Sequence, residues 1–199
     1  MLINQQLALN SIVLVLGSGS PRRSALLSDM GLSFTQRVSR VEEQYPSTLN
    51  GGEIALYLAR LKADALRSTL TPNELLITSD TVVWCADRSL EKPSNRAEAA
   101  SMLEQLSGCT HTVYTSLCLT STARQEAQLA ETQVTFKTLS AQEIDHYLSG
   151  EAVYDKAGAY GIQDWIGLMG ITEIKGSYFT VMGLPTHLLH QALDDWMNS

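Results

Sequence analysis

The run "IVLVLGSGSPRRSALL", residues 12–27, admits few local structures. Its first five residues are apolar, three of them β-branched, and too few for a helix, so they read as a buried strand. Gly17-Ser18-Gly19 breaks that strand. Ser20 is placed as a helix N-cap and Pro21 as the first helical residue, where a missing N–H loses nothing. A helix is predicted over 21–30, with Gly31 as its stop. The order strand, glycine loop, helix start then governs how the remaining segments are read.

Those segments alternate between the two periods. Residues 31–52 read as a strand and a loop ending in Gly51-Gly52, and 53–70 as a helix with Ile54, Leu58, Leu61 and Ala65 on its apolar side. "ELLITSDTVVWC" is a second buried strand, interrupted by Ser79 and Asp80, and "SLEKPS" is a turn. Asn95 with Glu98 forms a capping box for a helix to Leu106, stopped by Gly108. "HTVYTSLCLTS" and "EAQLAETQVTFKTL" alternate as an antiparallel pair of strands. Ser140 and Glu143 cap a short helix ending at Gly150. Residues 158–185 mix short strands with glycine turns. Pro185 opens a last helix with Leu188, Leu189, Ala192, Leu193 and Trp196 on its apolar side. The expected fold class is α/β: a central mixed β-sheet flanked by helices, in one compact domain over residues 1–199.

Composition restricts the partners. The chain is 44% hydrophobic and 18% charged, with a net charge of −7 and a pI of about 5.0. Bulk attraction to a nucleic acid polymer or an anionic membrane is not expected, so any bound anion needs a local cluster of cations. "MLINQQLALN" has neither the basic start nor the apolar core of a secretory signal, and no apolar run reaches bilayer length. Cys85, Cys109 and Cys118 are odd in number and lack CxxC spacing, which suggests neither a disulfide framework nor a zinc site. A cytoplasmic location is expected.

The glycine loop has the form of an anion cradle. The first turn of a helix leaves N–H groups unpaired, and Gly17 and Gly19 would let a phosphate approach the backbone. Arg22 and Arg23 fall in that turn. Cations there oppose the helix dipole by roughly 0.3–1 kcal/mol each. Attraction to an anionic oxygen is larger, about 4 kcal/mol at about 4 Å with an effective dielectric of about 20. The arginines therefore read as phosphate ligands; the bland reading pairs them with Glu42, Glu43 or Asp29. No GxxxxGK[ST] occurs, and "GSGSPR" lacks the last glycine of a dinucleotide fingerprint.

Other polar residues carry two readings each. Asp80 interrupts an apolar run, where a carboxylate is costly unless paired or working. It is either a strand-end turn residue or a metal ligand or general base. Lys62 lies opposite Ile54 and Leu61, which predicts a solvated lysine. Lys92 and Glu42-Glu43 read as turn and loop charge. Gln163, among Gly161, Ile162 and Trp165, is a recognition amide or a satisfied core amide. Ser149-Gly150-Glu151 reads as a polar turn and Asp155-Lys156 as an ion pair. The four histidines show no metal-ligand spacing, and His187 and His190 are placed on a solvated helix face.

With these residues laid out, the chain resembles the Maf family of nucleoside triphosphate pyrophosphatases nearly end to end. The landmarks are "SGSPRR", "LARLKA", "SDTVVW", "EKP", "LSGCTHTVYT", "DKAGAYGIQ" and "GSYFTVMGLP". The resemblance implies an ITPase-like fold with a substrate cleft between two lobes. It also implies hydrolysis of a nucleoside triphosphate between the α and β phosphates, with magnesium or manganese required. Asp80 falls on the family's proton acceptor, and Ser18, Arg22 and Arg23 on its phosphate loop. Glu43, Lys62 and Lys92 fall on further polar site positions, and Arg22, Thr81 and Gln163 on positions tied to substrate choice. The metal would be held by Asp80 and Glu43 with the substrate phosphates. "AGAYGIQ" and "GSY" resemble the branch acting on dTTP and UTP, and the family implies a homodimer. Gly17 stands where alanine is usual, which should only loosen the loop. Ser79 replaces an alanine, and Ser116 a glycine, which predicts an altered turn after "VYT". Two other functions remain open: a non-catalytic nucleotide-binding regulator of cell division, and a Maf enzyme of another base preference, such as methylated GTP.

Overall fold

A computed structural model describes residues 3–150 and 153–198. Its helices are α1 (Ile3–Leu9), α2 (Pro21–Asp29), α3 (Gly52–Arg67), α4 (Arg96–Leu106), α5 (Ala141–Gly150), α6 (Trp165–Gly170), α7 (Tyr178–Met182) and α8 (Thr186–Asn198). Its strands are β1 (Val13–Leu16), β2 (Phe34–Gln36), β3 (Glu74–Cys85), β4 (Arg88–Leu90), β5 (Thr110–Thr120), β6 (Gln125–Phe136) and β7 (Ile171–Lys175). These strands form one sheet in the order β2-β1-β3-β5-β6-β7, with β4 beside β3. β1 pairs in parallel with β2 and β3, while β3, β5, β6 and β7 pair antiparallel, which is the mixed sheet expected.

Pairing along β3 creates the cleft. The β1 ladder ends where Leu16 meets Ile77, and the β4 ladder begins where Val83 meets Leu90. Between those points no strand of the described residues lies along the β1-side edge of β3, while its other edge stays paired with β5. A gap at the carboxyl end of a parallel strand is where ligands enter α/β sheets. Because β3 side chains alternate, residues 78, 80 and 82 face α3, while 79, 81 and 83 face α2, the 3-10 turn Ala157–Ala159 and α7. One open edge thus offers groups from both faces.

Apolar packing holds the two sides of this gap. Leu103, Val113, Phe136, Tyr147 and Ile166 form one cluster with α4, α5 and α6. Leu14, Leu27, Ile77, Leu189 and Leu193 form another with α2 and α8. On the opposite face Ala59, Ala63 and Leu66 pack α3 on Val15 and Leu76.

Several expectations need correction. Ser79 and Asp80 do not interrupt β3: they stay in register with Leu117 and Ser116. Ser116 makes no turn either. It lies within β5, where its hydroxyl donates to Ala55 O at 2.7 Å and accepts from Asp80 N at 3.2 Å. The buried stripe of α3 is Ile54, Ala55, Leu58, Ala59, Lys62, Ala63 and Leu66; of the expected line Ile54 and Leu58 are buried, Leu61 is half-buried and Ala65 is exposed. α1 carried no signal that set it apart as a helix. Residues 157–185 hold a 3-10 turn and two short helices besides β7. The polar turn expected at 149–151 begins inside α5, and Glu151 lies outside the described residues.

Candidate active site

The gap in the sheet opens into a cleft of about 420 Å³. Arg22, Arg23, Glu43, Lys62, Asp80, Thr81, Lys92 and Gln163 all line it. Residues from six separate segments therefore meet at one place. Ser18 does not line the cleft; it is buried behind Arg23.

α2 begins as its sequence dictates. Ser20 is the N-cap, in extended conformation, and its side chain accepts from Arg23 N at 3.5 Å, with Pro21 in the first turn. The arginines then diverge. Arg22 crosses to Asp155, with Nη1 at 2.8 Å from Oδ2, and Arg23 turns inward. Its Nε donates to Gly183 O at 2.7 Å, one terminal nitrogen to Ser18 Oγ at 3.1 Å and the other to Thr81 Oγ1 at 3.2 Å. Neither arginine pairs with Glu42, Glu43 or Asp29 in the way the bland reading had it. Burial pulls the Arg23 guanidinium below its ordinary pKa, against the charge of Asp80. Gly183 has a φ of +108°, and a Cβ there would sit 3.3 Å from Thr81 Oγ1, so glycine lets this carbonyl face Arg23 and Ser79 Oγ together.

Lys62 is the largest departure from the expectation. It is 8% exposed, and Nζ bridges Asp80 Oδ1 at 2.5 Å and Glu43 Oε2 at 3.0 Å. Four residues beyond Leu58 and three beyond Ala59, it shares their buried face. Asp80 is 7% exposed, with its backbone N–H on Ser116 Oγ. Burial raises the Asp80 pKa, while Lys62 and Arg23 draw it back toward the ionised form. Burial would also raise Glu43, but Lys62, Lys92 and Arg23 together outweigh it and hold that carboxyl below its usual range.

Lys92 lines the cleft just past β4. On the opposite wall the Gln163 Oε1 atom is buried with no hydrogen-bond partner among the described residues. That is the mark of an acceptor waiting for a donor rather than a satisfied core amide. The sequence reading missed other lining residues. Lys156 is only 3.9 Å from its expected partner Asp155; its Nζ lies closer to Asp164 Oδ2, at 3.0 Å, which also accepts from Tyr147 at 2.9 Å. Glu91 and Tyr160 line the wall as well. Their signal lay in the quoted "EKP" and "DKAGAYGIQ", from which only Lys92 and Gln163 were drawn.

The donor set bears on a metal. Asp80 and Glu43 supply hard oxygen donors, and Lys62 engages one oxygen of each. Among the described residues no group of three His, Cys, Asp or Glu side chains could hold an ion. The set fits a cation shared with a ligand's phosphates, as magnesium commonly is, and not a cage of protein atoms alone.

Comparison with known proteins adds the family. Residues 13–196 match the model described as Maf-like protein. The dTTP/UTP pyrophosphatase of Phocaeicola vulgatus is 48% identical over 90% of this chain and 94% of its own length. That of Flavobacterium psychrophilum is 48% identical over 89% and 91%, and that of Porphyromonas gingivalis 47% over 94% and 95%. The Staphylococcus aureus Ham1 structure superposes with a TM-score of 0.50 at 14% identity, over 92% of this chain and 98% of that one, a likeness of fold.

Proposed function

The chain belongs to the Maf family, and on that premise we propose that it hydrolyses dTTP and UTP to the nucleoside monophosphate and pyrophosphate. The observation that carries this reading is the convergence of Arg22, Arg23, Lys62 and Lys92 around Asp80 in one cleft. Four cations suit a triphosphate tail, and one buried carboxylate suits a proton acceptor.

In this reading Arg22, Arg23 and Lys92 bind the phosphate oxygens, and Lys62 adds its charge from beside Asp80. Three of the five Arg23 N–H groups are held by the protein, which leaves one on each terminal nitrogen for the ligand. Ser18 Oγ accepts from both Arg23 and Ser20 N, so from behind Arg23 it serves phosphate binding by holding that guanidinium in place. Asp80 takes a proton from a water molecule as that oxygen bonds to the α-phosphorus, and the bridging oxygen leaves with pyrophosphate. Lys62 keeps Asp80 ionised and in place before that step. Asp80 and Glu43 would hold magnesium or manganese with the substrate phosphates, and the ion, when bound, neutralises charge on their oxygens. The unpartnered Gln163 acceptor suits the imide N–H of thymine or uracil and not the bare N3 of cytosine, which supports those bases over cytosine. Three free thiols agree with a reducing cytoplasm, and no helix among the described residues is long and apolar enough to cross a membrane. The homodimer is carried over from the family resemblance, and sedimentation checks it.

A panel of dTTP, UTP, CTP, GTP and methylated GTP, with magnesium or manganese and separate readouts for pyrophosphate and orthophosphate, tests both bond and base. Pyrophosphate from dTTP and UTP is expected. Binding without release would make the protein a nucleotide-binding regulator, and release from methylated GTP alone would reassign the base. Asp80→Asn should bind dTTP and lose turnover by about a hundredfold or more; turnover at the parental rate would remove Asp80 as the base.

A further inference from the structure

Behind Arg23 lies a chain of hydroxyl groups whose proton directions are forced. Thr115 Oγ1 is 2.7 Å from the carbonyl oxygen of Thr180, which can only accept, so the Thr115 proton is used there. The 3.1 Å contact between Thr81 and Thr115 can then run only one way, with Thr81 donating. Thr81 is left as an acceptor, and Arg23 donates to it at 3.2 Å. The relay runs from Arg23 through Thr81 and Thr115 to the Thr180 carbonyl, linking α2, β3, β5 and α7. Thr115 and Thr180 are wholly buried, so neither can touch a ligand.

We infer that Thr115 is a positioning residue for triphosphate binding: it sets the direction of the Thr81 proton and so the orientation of the Arg23 guanidinium. The inference rests on the reading of Arg23 as a phosphate ligand. With Gly183 and Ser18 fixing the other two contacts, the remaining pair of N–H groups is presented to the tail. A second consequence concerns Thr81. Its proton is committed to Thr115, so its influence on substrate choice acts through Arg23 and not through a hydrogen bond given to the base.

Thr115→Val keeps the shape and removes the hydroxyl, and Thr115→Ser keeps the hydroxyl. Calorimetric binding of inorganic tripolyphosphate and steady-state pyrophosphate release from dTTP are measured on the same preparations. Thr115→Val should bind tripolyphosphate about tenfold more weakly and raise KM for dTTP by a similar factor, with kcat within about twofold. Thr115→Ser should stay within about twofold of the parent on both readouts. The pair Thr81→Val and Thr115→Val should be no worse together than Thr81→Val alone, because they cut one chain. Parental binding by Thr115→Val would overturn the inference. So would equal impairment of Thr115→Ser, which would indicate packing, or additive losses in the pair. If Thr115→Val does not fold, Thr115→Ala is compared with Thr115→Ser in the same way. A parent that binds tripolyphosphate but releases no pyrophosphate would defeat the pyrophosphatase reading and leave the binding test of the relay intact.

Discussion

At the scale of single residues, burial decides which charges matter. Asp80 and Lys62 sit in one buried ion pair, which is poor evidence for stability because desolvating both charges offsets their attraction. The pair persists where a carboxylate needs to be held ready inside an apolar strand. Asp80 was visible in the sequence as an oddity in "LLITSDTVVW", but Lys62 was assigned to solvent because the apolar stripe was drawn through Leu61. His111 gives a prediction at this scale. It is 2% exposed, its Nε2 contacts Tyr160 Oη at 2.7 Å, and burial lowers its pKa to about 4. The folded protein therefore leaves His111 neutral below pH 6.5, where the unfolded chain takes up a proton. Stability falls as pH drops from about 6.5 toward 4, by roughly 3 kcal/mol in all. Denaturant titrations across that range should find the slope in the parent and a flatter profile in His111→Phe, because protons taken up by carboxylates contribute alike to both.

At the scale of elements, the close seat of α3 on the sheet shapes the site. Ala55 and Ala59 let hydroxyls from the sheet reach helix carbonyls: Thr78 Oγ1 donates to Ala59 O at 2.8 Å, and Ser116 Oγ to Ala55 O. This leaves no room at Gly17. A Cβ there would lie 2.6 Å from Thr78 Cγ2 and 2.9 Å from Leu76 Cδ1, so Gly17 is filled by its neighbours and does not loosen the loop. Nor does it line the cleft as a phosphate contact. Gly17→Ala should destabilise the protein by about 1–3 kcal/mol, because Thr78 is held by its hydrogen bond and cannot rotate away. Adding Thr78→Ser, which removes the methyl and keeps the hydroxyl, should restore most of the loss in the same denaturation assay. Capping residues were legible: Ser20, Asn95 and Ser140 all act where a local pattern placed them. The short helices within residues 157–185 were not, since helices of five and six residues carry too little periodicity to separate from glycine-rich loop.

At the scale of the whole molecule, the cleft exists because two strands of unequal reach flank β3, leaving an edge open that α2, α3 and residues 155–163 enclose. Arg22 and Asp155, 133 residues apart, meet across it. Since no group of three His, Cys, Asp or Glu side chains among the described residues could hold an ion, the ion should arrive with substrate. Removing divalent cations with EDTA should abolish turnover and leave the melting temperature of the ligand-free protein unchanged; a clear fall in melting temperature would mean a resident structural ion. What the sequence by itself determined is local: strand and helix periods, capping residues, the glycine loop and the arginines at a helix start, all set by interactions a few residues long. The pairing of Lys62 with Asp80 and Glu43, the inward turn of Arg23, and the unpartnered Gln163 acceptor were decided only by the tertiary structure. They depend on where β1 stops, how closely α3 seats and where Gly183 turns the chain, and those distances are fixed when distant segments pack.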